Sequence, residues 1–113
     1  MPRDARKLFF DIRHAVVNLI AFAGGKSAEQ LDGDLVLRSA IERQLMIVGE
    51  AMARLRRDHP GSLDGISHAH QIIGMRNLLV HRYEVVEVET LAQVVNEQLK
   101  PLLVEVEEAL GAD

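Results

Sequence analysis

Apolar residues recur along the chain at the three- and four-residue spacing of amphipathic helices, and short polar or glycine-containing breaks separate four such stretches. The first stretch predicts a helix over residues 4–23. This helix ends at residues 24–25, two glycines that supply the left-handed backbone favoured at a helix terminus. Beyond the glycines, Ser27 and Gln30 have the spacing of a capping box, which predicts a short helical turn.

The second and third apolar stretches predict a long second helix and a shorter third one. Asp34 is a favoured N-cap residue, and the second helix runs from it to a stop signal at residues 58–61. The third helix runs from about Ser67 to residues 80–83. Its residues are apolar on nearly all sides, which predicts that it lies at the centre of the fold.

A fourth helix is predicted from residues 87–90 to Gly111, with a proline inside its pattern. Because Pro101 lacks a backbone N–H, we expect a kink near residues 97–101. Four helices with short connections favour an all-α fold, an up-and-down four-helix bundle, which forms a single domain over residues 1–113.

The composition narrows the class of protein further. The chain of 113 residues is 48% hydrophobic and 27% charged, as in an ordinary globular domain, and it is too small for two lobes that enclose a cofactor. The longest apolar run, residues 15–23, is interrupted by Asn18 and is far shorter than the roughly 18 residues that a bilayer requires. The absence of cysteine excludes disulfides, thiolate zinc sites and cysteine nucleophiles, and we expect a cytoplasmic protein.

Aromatic side chains are scarce, with three phenylalanines, one tyrosine and no tryptophan. A bundle this small has little apolar area to bury, so we expect a homodimer to complete its core. Phe9 and Phe10 are adjacent and point about 100° apart on a helix. Either one of them lies outside the monomer core, which makes the first helix a candidate interface, or both are partly buried.

Charge is unevenly distributed along the chain. Residues 1–83 hold 12 basic and 9 acidic residues, whereas residues 84–113 hold 1 basic and 8 acidic residues. Ten of the 13 cations are arginine, which suits bidentate contacts with phosphate or carboxylate groups. Charge alone favours ordinary solvated helix faces over a nucleic-acid surface on the basic part of the chain.

Several common chemical motifs are incomplete. Residues 24–27 lack the upstream glycine of a phosphate-binding loop. Asp11-x-x-His14 is one half of a pattern that carboxylate-bridged metal bundles carry on two helices. His68 and His70 point about 200° apart on a helix, which is too divergent for a shared metal ion. We therefore expect neither a metal nor another cofactor.

The candidate chemistry lies in residues 76–83, where Arg76, His81 and Tyr83 follow one another near the end of an otherwise apolar helix. On a regular helix Tyr83 lies almost directly along the helix from Arg76, whereas His81 points about 140° away from Arg76. The three therefore converge only if the helix deforms at its end or a second subunit contributes. If the three side chains come together, they can bind a phosphodiester, transfer protons and stabilise developing negative charge. Spacing alone favours a plainer alternative, polar groups satisfied by helix-end carbonyls.

This segment resembles the signature of the HEPN superfamily, and in particular its HepT-like (DUF86) branch. The resemblance is carried by Ile73-Gly74-Met75-Arg76-Asn77-x-Leu79-Val80-His81-x-Tyr83. The stretch Ile47-Val48-Gly49-Glu50-Ala51 is similar to a second recurring part of that branch. Together with the four predicted helices, the resemblance covers nearly the whole chain and implies a HEPN-like helical bundle.

The resemblance also implies a function. Proteins of this branch are toxins of toxin–antitoxin systems, metal-independent endoribonucleases whose homodimers bring the Arg and His of two subunits into one cleft. Arg76 would contact the scissile phosphate of the RNA, His81 would act as general base or acid, and Asn77 would orient the phosphate or Arg76. The implied antitoxin is a minimal nucleotidyltransferase (MNT) that transfers AMP from ATP to Tyr83. Glu50 is either a partner for Arg76 or a solvated residue.

The chain departs from the family pattern at three places. Arg82 stands where a glycine is usual, residues 68–70 stand where a tryptophan is common, and Glu87 or Glu89 replaces an aspartate before the last helix. These differences bear on the shape of the cleft and on substrate preference. The acidic residues 84–113 would also repel RNA that the rest of the chain attracts.

Functions from different classes fit these residues. The first is the ribonuclease toxin, and the second is a non-catalytic helical module that binds, or is modified by, a nucleotidyltransferase partner. A nucleotide-binding regulator that uses the same cleft is a third and weaker alternative. Arg76 and His81 discriminate the first two, because an interaction module needs neither of them.

Overall fold

The computed structural model describes residues 1–111, which contain helices and no strand. The long helices are α1 (Arg3–Ala23), α3 (Leu35–Asp58), α4 (Ala69–His81) and α6 (Leu99–Gly111). The shorter elements are α2 (Ala28–Asp32), a 3-10 turn (Tyr83–Val85) and α5 (Val88–Gln93), which continues into α6 through a π-helical turn (Val94–Gln98). The predicted all-α fold, a HEPN-like helical bundle, is confirmed.

The helix boundaries have the local causes that the sequence indicates. The Asp34 side chain accepts a hydrogen bond from the backbone N–H of Leu37 at 3.0 Å and caps α3. Ser27 and Gln30 form the reciprocal capping box, with side chain to backbone distances of 3.2 and 2.8 Å. Gly25 has a φ of +83°, so the chain takes the left-handed conformation directly after α1, as predicted.

The core lies between α1 and α3, which pack side by side, with α6 against α1 and α4 against α3. The largest fully buried side chains are Phe9, Ile12, Leu19, Leu31, Ile41, Leu45, Met52, Leu55, Leu91, Leu99, Leu102 and Val16. Phe9 is completely buried, whereas Phe10 is 44% exposed beneath the guanidinium of Arg6, 5.3 Å from its ring centroid. One of the two adjacent phenylalanines therefore lies outside the monomer core.

The prediction that the third predicted helix lies at the centre of the fold is wrong. In the part of the chain that the structure describes, the backbone of α4 approaches α3 and the 3-10 turn but no other helix. Leu78 and Val80 on α4 are 42% and 47% exposed. Apolar residues on every face of a helix do not determine where that helix lies in the fold. In α4, the apolar side chains on the side away from α3 are exposed to solvent.

The irregularity in the last helix begins earlier than predicted. Pro101 has no N–H to donate to the preceding turn, and the backbone upstream takes wider π-helical spacing over Val94–Gln98. This turn overlaps only the start of the predicted interval, 97–101. Within it, the Asn96 side chain accepts a hydrogen bond from the backbone N–H of Gly25 at 2.8 Å. The π turn is thereby tied to the end of α1.

None of the helices within residues 1–111 has the length and apolarity needed to cross a membrane. The same residues contain no group of three or more histidine, cysteine, aspartate or glutamate side chains arranged to hold a metal ion.

Candidate active site

Arg76 lies on the face of α4 that packs against α3, opposite a glycine. A methyl group built on Gly49 would lie 2.2 Å from the Cβ atom of Arg76 and 3.2 Å from the carbonyl oxygen of Ile72. Carbon atoms do not approach so closely, so only glycine fits at this position. Gly49 therefore determines how closely α4 approaches α3, and with it the position of the Arg76 backbone.

The guanidinium of Arg76 is held by two neighbours. Its Nη2 atom donates a hydrogen bond to the Glu50 carboxylate, and its Nη1 atom donates to Oδ1 of Asn77 at 2.7 Å. The side chains of Arg76 and Glu50 are 26% and 47% exposed, and an ion pair at such exposure adds only about 0.2–1 kcal/mol to stability. Glu50 therefore acts mainly by orienting the guanidinium. Of the two alternatives for Glu50, a partner for Arg76 or a solvated residue, the structure shows the first.

His81 is the last residue of α4 and is exposed, and its ring makes no hydrogen bond or ion pair with the rest of residues 1–111. The helix ends here because Arg82, whose N–H still bonds to the carbonyl of Leu78 at 2.7 Å, leaves the helical conformation with φ −147° and ψ 53°. This backbone is not left-handed, so it does not require a glycine at residue 82.

Tyr83 opens the 3-10 turn and is 68% exposed. The turn is fastened to α3 by Arg38, whose Nη2 atom donates to the carbonyl oxygen of Val86 at 2.9 Å. The Nε atom of the same guanidinium donates to the Glu42 carboxylate at 2.9 Å, and the Arg38 and Glu42 side chains are only 26% and 21% exposed. Arg38 thus fixes the position of the Tyr83 turn relative to α3.

The motif residues do not all meet within one chain. Arg76 and His81 are separated by about 7.5 Å along the helix axis and about 140° around it. In the described residues, no hydrogen bond or ion pair joins Arg76, His81 and Tyr83 to one another. A single chain brings together Arg76, Asn77 and Glu50 and leaves His81 and Tyr83 outside that group.

Sequence analysis did not single out Gly49 or Arg38 for the positions they determine. A glycine in the interior of a strongly helical stretch is a signal of close approach, and it could have identified Gly49. Arg38 and Glu42 have the spacing of an ordinary surface pair on a helix. Nothing in the sequence indicates that Arg38 also binds Val86.

The all-helical fold carries an oriented arginine and an exposed histidine five residues further along the same helix, and it is consistent with the HEPN-like class of helical bundles. The family model described as "Ribonuclease HepT-like" matches residues 12–109, and the chain belongs to this family. The resemblance inferred from the motif is thus confirmed.

Two relatives in Methanocaldococcus jannaschii are described as candidate RNases. The chain is 26% identical to one of them over 105 residues, which cover 93% of this chain and 95% of the relative. It is 27% identical to the other over 84 residues, which cover 74% of this chain and 69% of the relative. No solved structure matches the chain at a significant level.

Proposed function

We propose that this protein is a metal-independent endoribonuclease, the toxin of a toxin–antitoxin system that acts on RNA in the cytoplasm. The observation that carries the proposal is an oriented cation and an exposed imidazole five residues apart on one helix. The guanidinium of Arg76 is fixed by Glu50 and Asn77, and His81 follows at the end of the same helix. Membership of a ribonuclease family supports RNA as the substrate.

The chemistry needs only the RNA and these side chains. His81 takes the proton of the ribose 2′-hydroxyl, the 2′-oxygen forms a bond to phosphorus, and the bond from phosphorus to the 5′-oxygen breaks. A proton delivered to that oxygen completes the reaction, which yields a 2′,3′-cyclic phosphate and a 5′-hydroxyl end. Arg76 binds the non-bridging phosphate oxygens as negative charge builds on them, and Asn77 and Glu50 keep it in place.

The reaction favours a dimer. An in-line displacement needs a proton acceptor and a proton donor on opposite sides of phosphorus, and the motif of each chain supplies one histidine for both tasks. In a homodimer that joins two α4 helices, His81 of one protomer and His81 of its partner divide the tasks. The exposed apolar side chains of α4, Leu78 and Val80, support this interface.

Sedimentation of two charged variants tests the dimer. Val80→Glu is expected to convert a dimer at micromolar concentration into a monomer and to lose RNA cleavage, because it places a carboxylate in the apolar interface. Val104→Glu is the matched control, since Val104 is similarly exposed on α6, at 55% against 47% for Val80. A wild-type monomer at that concentration, or a Val80→Glu dimer with full activity, would contradict the shared cleft.

Tyr83 is the proposed site of control by an MNT-type nucleotidyltransferase antitoxin. The phenol oxygen of Tyr83 attacks the α-phosphorus of ATP, pyrophosphate leaves, and the phenol loses its proton. The exposure of Tyr83, 68%, makes it accessible to such an enzyme. The attached AMP adds bulk and negative charge beside His81 and would repel RNA.

Replacing Tyr83 with phenylalanine is expected to abolish this transfer, because the variant lacks only the accepting oxygen. The measurement is the mass of the protein after incubation with the partner enzyme and ATP. Tyr83 is the one tyrosine of the chain, so AMP bound to a tyrosine of the wild type must be on Tyr83. Incorporation of AMP into Tyr83→Phe at the wild-type rate would assign the acceptor to another residue.

Cleavage of mixed cellular RNA in excess EDTA tests the ribonuclease proposal. Wild-type protein, confirmed by mass to be unmodified at Tyr83, is compared with an Arg76→Ala/His81→Ala double variant purified in parallel. Cutting by the wild type alone would establish the activity and its site. Equal cutting by both preparations would assign the activity elsewhere.

The absence of cutting by either protein would favour the second candidate, a non-catalytic helical module that binds or is modified by a nucleotidyltransferase. The observation behind this candidate is the exposed Tyr83, which such a partner can reach whether or not the module cleaves RNA.

A further inference from the structure

A pocket outside the Arg76 group lies between the 3-10 turn and the first turns of α3. It is lined by Leu35, Arg38, Ser39, Glu42, Tyr83 and Glu84. Its volume is about 390 Å³, within the range of about 300–1,000 Å³ that is usual for small-ligand sites. Tyr83, one of its lining residues, follows the proposed catalytic His81 by two residues along the chain.

Two large and exposed apolar surfaces form walls of the pocket. Tyr83 is 68% exposed, and Leu35, the first residue of α3, is 77% exposed. The face of an aromatic ring stacks on a nucleobase, and this contact holds unpaired bases in many RNA-binding proteins. A flat ring that enters between Tyr83 and Leu35 would cover both side chains.

The two sides of the pocket are linked by one side chain. Arg38 joins them, since its guanidinium donates to Glu42 on α3 and to the carbonyl of Val86 beyond the Tyr83 turn, both at 2.9 Å. Arg38 is therefore a positioning residue for Tyr83. A preformed pocket binds its ligand without the cost of ordering a mobile loop.

The charges of the lining residues suit a base better than a phosphate. Two carboxylates, Glu42 and Glu84, and one cation, Arg38, line the pocket, and Arg38 is already bonded to Glu42 and to a backbone carbonyl. Outside the lining, Arg82 lies 3.6 Å from the Glu84 carboxylate, so Glu42 is the carboxylate assigned to the base. Carboxylate oxygens repel phosphate and accept hydrogen bonds from the exocyclic amino groups of bases. Phosphate and base thus have separate places, at Arg76 and in this pocket.

We propose that this pocket, which we call the Tyr83 pocket, binds a nucleobase that flanks the scissile phosphate, with a preference for bases that carry an amino group over uracil. The proposal rests on the proposed ribonuclease function. The base stacks on Tyr83 and contacts Leu35, and its amino group donates to Glu42. A nucleotide attached to the phenol oxygen of Tyr83 would obstruct the ring on which the base stacks, so modification and base binding would exclude each other.

The test uses the intrinsic fluorescence of the protein. The chain has one tyrosine and no tryptophan, so its emission comes from Tyr83 alone. The probes are short 2′-O-methyl oligonucleotides of A, C or U, which cannot be cleaved because the attacking hydroxyl is blocked. We expect saturable quenching of the emission, corrected for RNA absorbance with free tyrosine, and several-fold tighter binding of the A and C oligonucleotides than of the U oligonucleotide.

A matched pair of variants locates the binding. Leu35→Ser is expected to weaken binding about fivefold or more, since it removes an apolar wall. Val36→Ser changes the next residue, which is 82% exposed and does not line the pocket, and it should bind as the wild type does. Unchanged affinity in Leu35→Ser, or equal affinity for C and U, would overturn the proposal.

The two proposals fail in different ways. Saturable quenching by a protein that does not cut RNA in EDTA would leave the Tyr83 pocket standing as a base-binding site and remove the ribonuclease. Cutting of RNA by a protein whose emission is not saturably quenched would overturn the pocket alone.

Discussion

Replacing His81 with alanine is expected to lower RNA cleavage about 10²- to 10⁴-fold, the loss that follows removal of a general acid or base. The fold should be unaffected, because the ring is exposed and makes no hydrogen bond or ion pair with residues 1–111. We expect the free energy of unfolding to change by no more than about 0.5 kcal/mol. Initial rates in EDTA and a circular dichroism melt measure the two effects on the same preparation.

His70→Ala is the matched control for this variant. His70 is also exposed on α4, one residue after the helix begins, and it makes no hydrogen bond within the described chain. Its replacement should leave both the cleavage rate and the melt at their wild-type values. A His81→Ala protein that melts normally and cuts RNA at the wild-type rate would remove His81 from the mechanism.

Arg76 offers a less direct test than His81. Its replacement by alanine removes the proposed phosphate contact, but it also leaves the Glu50 carboxylate without its partner and changes the packing of α4 on α3. A loss of activity in that variant therefore combines chemistry with structure. His81 separates the two because its side chain is exposed and has no hydrogen bond or ion pair to lose.

Local rules account for the parts of the fold that the sequence predicts. Caps such as Asp34 and the glycine at residue 25 act within four residues of the helix end they determine. Apolar spacing likewise reports which face of a helix is buried, as the contrast between Phe9 and Phe10 illustrates. Such features can be predicted from one sequence because both partners in each interaction are near neighbours in the chain.

The remainder depends on contacts between distant segments. The bond from Arg38 to Val86 spans 48 residues, and the pair of Glu50 and Arg76 spans 26. Periodicity cannot indicate such partners, which explains why the position of α4 was predicted wrongly and why the role of Arg38 was missed. The motif identifies Arg76 itself, but it does not indicate whether Glu50 orients it.

Gly49→Ala is expected to destabilise the protein by about 1–3 kcal/mol, the usual cost of inserting a methyl group into a packed contact. The new Cβ atom would meet the Cβ atom of Arg76 at 2.2 Å. That atom is fixed to the backbone and cannot rotate away, so α4 must move from α3. The displacement carries Arg76 with it, and a shift of about 1 Å at a catalytic group costs on the order of 10²-fold in rate.

Gly74→Ala separates this clash from the effect of alanine on a helix. A Cβ atom on Gly74 has open space around it, so the variant should gain about 0.5–1 kcal/mol from higher helix propensity alone. Urea denaturation of both variants, with cleavage rates measured well below their melting temperatures, distinguishes the two positions. Since intrinsic propensity favours alanine at both, opposite signs of the stability change isolate the contact between α3 and α4. If Gly49→Ala were as stable and as active as Gly74→Ala, that contact would not set the position of Arg76.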